Sequence, residues 1–146
     1  MKKIAIYFYL FFIFNTANAF ETVGKQAILI DYDTNEILYE KNAHEKAFPS
    51  SMTKIMTAFI VFEKIHNKEI NLSDKFFISN NAWKQEGSRM FLNVGSKVSV
   101  NELLKGLLVQ SGNDSAVALS EGTFKTVENF VKKMNEKAKE FNLKNT

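Results

Sequence analysis

The 146-residue chain carries 19 Lys and Arg against 16 Asp and Glu, and it has no cysteine and two histidines. Disulfides and metal–thiolate sites are therefore excluded, and His44 and His66, 22 positions apart, lack the spacing of a zinc hydrolase. The small net charge, with no cluster of basic and aromatic residues, gives no electrostatic ground for nucleic-acid binding.

The chain opens with MKKIAIYFYLFFIFNTANA. Lys2 and Lys3 form a positive start, Ile4 to Phe14 an apolar run, and Ala17-Asn18-Ala19 a small-x-small cleavage site. This is the layout of a secretory signal peptide over residues 1–19, the alternative being an uncleaved N-terminal anchor. Cleavage would leave 127 residues with 17 basic and 16 acidic side chains, so most of the positive excess lies on the leader. The remaining residues 20–146 are long enough for one domain core.

Two short alternating runs, Gln26–Ile30 and Glu36–Glu40, flank the turn-forming residues Asp31 to Asn35 and predict an antiparallel hairpin. Pro49 then introduces a helix over about 51–66, with Ser50 as its expected N-cap. Ile55, Met56, Phe59, Ile60, Val61, Phe62 and Ile65 make that helix apolar on most faces, which predicts burial at the centre of a domain. The stretch from Leu72 to Val100 reads as loop with brief strands, and Glu86-Gly87-Ser88 as a surface turn or a cleft-edge loop. Ser99 and Glu102 have capping-box spacing ahead of a helix with Leu103, Leu104, Leu107 and Leu108 as its stripe. That helix breaks at Ser111-Gly112-Asn113-Asp114, a second begins, and an amphipathic helix is expected near 125–141. A hairpin alone is marginally stable, and no returning strand follows. The order of elements thus reads as the front of a longer protein.

Ser51 and Lys54 stand three residues apart at the start of the apolar helix. Ten serines and eighteen lysines in 146 positions give roughly one Ser-x-x-Lys pair by chance, and one is present. Spacing alone therefore carries nothing, but the context does. A helix N-terminus favours developing negative charge. A lysine in water is only about 0.04% neutral at pH 7, which costs about 4.6 kcal/mol for a base. An apolar helix is a setting that reduces this cost by burial. The bland alternative is that the two groups cap and solvate the helix end. Ser111 and Asn113 pose the same choice: they face a cleft, or they end one helix and cap the next.

Ser-x-x-Lys followed sixty residues later by Ser-Gly-Asn resembles the penicillin-interacting serine enzymes. The stretches AILIDYDTNEILYEKNAHEKAFPSSMTKIMTA, GSRMFLNVGSKVSVNELLKGLLVQSGNDSAVAL and FNLKNT are similar to the low-molecular-weight D-alanyl-D-alanine carboxypeptidases of the penicillin-binding protein 5 type. The similarity covers almost all of residues 25–146. It implies an α/β serine transpeptidase-like fold: an antiparallel sheet flanked by helices, beside a helical subdomain. It also implies Ser51 as nucleophile, Lys54 as base, Ser111 as proton relay and Asn113 as a substrate-binding residue, with no cofactor or metal. The implied substrate is the peptidoglycan stem peptide, outside the cytoplasmic membrane, with β-lactams as covalent inhibitors. A C-terminal membrane anchor is a further family feature. The family's third motif, Lys-Thr-Gly, does not occur in this sequence. A D-alanyl endopeptidase, a β-lactamase and an inactive secreted binding module are the alternatives, the last separable by penicillin labelling.

Overall fold

The computed structural model describes residues 21–145, so the expected signal peptide lies outside the described residues. The chain divides after Phe48 into a hairpin unit and a helical unit.

In the hairpin unit, β1 (Ala27–Ile30) pairs antiparallel with β2 (Ile37–Lys41), each strand within one residue of its predicted bounds. Asp31 builds the turn: its Oδ1 accepts from the Thr34 and Asp33 backbone N–H groups and from the Thr34 hydroxyl at 2.8–3.1 Å. These bonds, the Thr34 N–H first, hold the Asp31 carboxyl below its ordinary range. Asn35 closes the turn at φ +58°, a conformation asparagine tolerates.

The helical unit begins with one 3₁₀ turn, Ser50–Met52, running into α1 (Thr53–His66). Here the structure corrects two expectations. Ser50 sits at φ +48° and makes no side-chain cap bond; the Met52 N–H is met by the Pro49 carbonyl at 3.0 Å instead. Ser51 thus lies in the 3₁₀ turn and Lys54 in the first α turn. Positions i and i+3 nearly eclipse in 3₁₀ geometry, so the two side chains still share a face.

The second correction concerns burial. Thr57, Ala58, Ile60 and Val61 are buried, whereas Ile55, Phe59 and Phe62 are 41–70% exposed. Three later helices, over Val100–Val109, Asn113–Phe124 and Val127–Glu140, cover one side of α1.

Lys75–Phe77 (β3) and Lys97–Ser99 (β4) form a second antiparallel ribbon, the brief strands expected between Leu72 and Val100. A four-residue helix, α2 (Asn80–Trp83), was not expected from sequence. It is capped by Ser79 and tied to Glu121, which accepts from Ser79 Oγ at 2.6 Å and Asn81 Nδ2 at 2.9 Å.

The capping box opens α3 (Val100–Val109) as expected. Ser99 Oγ accepts from the Glu102 N–H, and Glu102 Oε2 accepts from the Ser99 N–H, both at 3.2 Å. Leu103, Leu104 and Leu107 are buried, but Leu108 is 56% exposed. At 100° per residue Leu108 falls about 90° from the centre of that stripe, beyond its edge. Helices α4 (Asn113–Phe124) and α5 (Val127–Glu140) complete the unit. Gly106 of α3 faces α4, where a Cβ would run into Ser115 Oγ and Met90 Sδ, so the helices meet closely there.

Ile60, Val61, Ile78, Leu103, Leu107, Leu119 and Phe130 form the fully buried centre of the core. The face expected on the last helix is only partly buried: Phe130 and Ala138 are inside, while Val131 and Phe141 are 45% and 42% exposed. Lys137 is buried with them, paired to Glu63 of α1 and to Glu140 at 2.9 Å, which raises its pKa.

Candidate active site

Lys54 is the centre of the site. Its Nζ lies 3.3 Å from Ser51 Oγ, 3.2 Å from Ser111 Oγ and 2.7 Å from Asn113 Oδ1. All four residues singled out by the two motifs are thereby brought together, Lys54 and Asn113 across 59 positions of sequence. Ser51 is exposed, and Lys54, Ser111 and Asn113 are half-buried. A reactant can reach the hydroxyl while its partners are held by packing.

Local backbone explains how the groups converge. The 3₁₀ turn places Ser51 over Lys54, as above. The second pair comes from the break between α3 and α4. Ser111 adopts φ +54°, a left-handed conformation uncommon outside glycine. The Gly112 N–H bonds the Gly106 carbonyl at 3.0 Å, which fixes the reversal. Gly112 is the N-cap of α4 and offers no side chain, and Asn113 is the first helical residue. Neither Ser111 nor Asn113 caps the helix, so the bland reading of this motif does not describe what their side chains do.

Asn113 is held from both sides. Its Oδ1 accepts from Lys54, and its Nδ2 donates to the Glu86 carbonyl at 2.6 Å. Its own backbone N–H donates to the Ser88 carbonyl at 2.7 Å. The Glu86–Ser88 segment is therefore an edge of the site rather than a remote turn, and Gly87 passes there at φ +79°.

Asp114, which the sequence shows only as part of the helix break, has a distinct place in the structure. It is 1% exposed and accepts from the backbone N–H groups of Met90 and Leu92, each at 3.1 Å. No side-chain pattern in the sequence marks those partners. Among the described residues, no three His, Asp or Glu side chains converge as metal ligands, and no helix is long and apolar enough to cross a membrane.

Solved structures similar to this chain include penicillin-binding and DD-transpeptidase proteins. Penicillin binding protein 5 from Haemophilus influenzae superposes with a TM-score of 0.76 at 36% identity, over 86% of this chain and 38% of that one. The protein thus has the mixed helix-and-sheet fold of the penicillin-binding class.

The family follows from the sequence match. The family described as D-alanyl-D-alanine carboxypeptidase matches residues 14–146, and the chain belongs to it. D-alanyl-D-alanine carboxypeptidase DacF of Bacillus subtilis is 48% identical over 123 residues, covering 84% of this chain and 32% of that protein. DacC of Escherichia coli is 40% identical over 125 residues, covering 82% and 31%. The chain therefore spans about a third of the length of the curated relatives it matches.

Proposed function

We propose that the protein acts as a serine D-alanyl-D-alanine carboxypeptidase on peptidoglycan stem peptides, with Ser51 as nucleophile. The observation carrying this reading is the single lysine amine within hydrogen-bond reach of two hydroxyls and an amide oxygen.

Lys54, as the neutral amine, takes the Ser51 proton while Ser51 Oγ bonds to the carbonyl carbon of the penultimate D-alanine. The tetrahedral adduct then expels the terminal D-alanine, breaking the C–N bond. The leaving amine needs a proton, and Ser111 Oγ, 3.2 Å from the same Nζ, relays it. Water attacks the acyl ester on Ser51, and release of the shortened peptide restores the hydroxyl. Asn113 retains hydrogen-bonding capacity beyond its Lys54 and Glu86 contacts, enough to hold a substrate amide. A β-lactam acylates the same oxygen through its strained amide.

On this reading the protein works outside the cytoplasmic membrane, in the periplasm or on the membrane's outer face, which the signal-peptide layout of residues 1–19 supports. N-terminal sequencing of exported protein is expected to start at Phe20; a start at Met1 would make the leader an anchor. The activity test uses the full-length protein and a diacylated peptide ending in D-Ala-D-Ala. Release of D-alanine is expected from wild type and not from Ser51→Ala. Turnover retained by the variant would remove Ser51 from the nucleophile role.

A further inference from the structure

Two neighbours on the first turn of α4 bond the backbone of the Glu86–Leu92 loop. Asn113 takes the loop's carbonyl groups: Nδ2 donates to Glu86 O at 2.6 Å and the backbone N–H to Ser88 O at 2.7 Å. Asp114 takes its N–H groups: Oδ1 accepts from Met90 and Oδ2 from Leu92, each at 3.1 Å. Asp114 Oδ1 also accepts from the Ser115 N–H at 2.8 Å.

Among the described residues no Lys, Arg or His forms an ion pair with Asp114, although it is 1% exposed. A carboxylate so placed depends on backbone N–H groups in place of water. Phe91, between the two donors, is at φ +60° and 74% exposed. A bulky residue in that region is strained, so something must hold it there. Two charge-assisted hydrogen bonds on either side of it do so.

The amide of Asn113 has only one orientation compatible with both neighbours. Lys54 requires an acceptor and the Glu86 carbonyl requires a donor. Were the loop to move away, the NH₂ group would lose its acceptor and the amide would be free to turn toward the lysine. From this geometry we infer that Asp114 is a positioning residue: by holding the loop through Met90 and Leu92, it fixes the Asn113 amide that receives Lys54. The inference rests on the acylation chemistry proposed above.

A double-mutant cycle on the second-order rate of fluorescent-penicillin acylation of the full-length protein tests it. Asp114→Asn keeps the shape but turns an NH₂ group on a backbone N–H, and is expected to slow acylation at least about tenfold. In an Asn113→Ala background the same change is expected to cost less than about threefold, because its route to Lys54 is gone. Gly87→Ala is a second, surface-exposed lever on the loop: its Cβ would lie 3.0 Å from Asn113 Nδ2, at a left-handed φ. It is expected to show the same dependence on Asn113, and it decides the matter if Asp114→Asn does not fold. Equal losses in both backgrounds, or rates within about twofold of wild type, would overturn the inference. A wild type that takes no label at all would instead overturn the proposed acylation on which it rests.

Discussion

Lys54 Nζ is 2.7 Å from Asn113 Oδ1 but 3.3 Å from Ser51 Oγ, so the amide, more than the serine hydroxyl, holds the lysine in place. For the proposed reaction, this arrangement would set the amine in place before a substrate arrives, with a loose contact to the serine that tightens as the proton moves. On the mechanism proposed above, the neutral amine meets its three neighbours with two N–H groups, for Asn113 Oδ1 and Ser111 Oγ, and a lone pair for the Ser51 hydroxyl.

That arrangement makes arginine a poor substitute for Lys54. Lys54→Arg keeps the charge, but guanidinium stays protonated at any working pH and is planar where the site is built around a single nitrogen. Acylation by fluorescent penicillin is expected to fall roughly 10²–10⁴-fold, the usual contribution of a general base. A loss of only a few-fold would show that Lys54 solvates the helix end and takes no proton.

The capping box makes a separate prediction about stability. Ser99→Ala removes the acceptor of the Glu102 N–H and is expected to cost about 1 kcal/mol in chemical denaturation. The Ser99 hydroxyl and N–H hold the Glu102 carboxyl below its ordinary 4.5, the hydroxyl first. Folded Glu102 thus binds its proton less readily than unfolded Glu102. Its contribution is present above the ordinary carboxylate range and is lost as pH falls through the lowered folded value. Glu102→Gln should therefore be less stable than wild type at neutral pH, with the gap closing in acid. An unchanged gap from pH 7 to pH 3 would contradict the assignment.

The grouping of Ser51, Lys54, Ser111 and Asn113 was legible because hydroxyl, amine and amide side chains are the types that can carry chemistry. Ser51 and Lys54 stood out through an apolar context, and Ser111 and Asn113 through a break between two helices. Asp114 was not legible, since its partners are backbone N–H groups of Met90 and Leu92 that leave no trace in residue type. Ser50 looked like a cap by composition, but it lies in a 3₁₀ turn that follows Pro49, in a left-handed conformation where its hydroxyl makes no cap bond. The exposure of Ile55, Phe59 and Phe62 was hidden for a different reason. Hydropathy reports what a side chain prefers, whereas burial depends on which elements are packed against it. Capping chemistry worked where both partners are local, as at Ser99 and Glu102.

Whether Ser51 is the acylated residue is settled by locating a penicillin adduct. Full-length protein would be treated with benzylpenicillin, digested and mapped by mass spectrometry. The added mass is expected on the peptide containing Ser51 and on no other serine. An adduct at Ser111 or elsewhere, or none at all, would contradict the account.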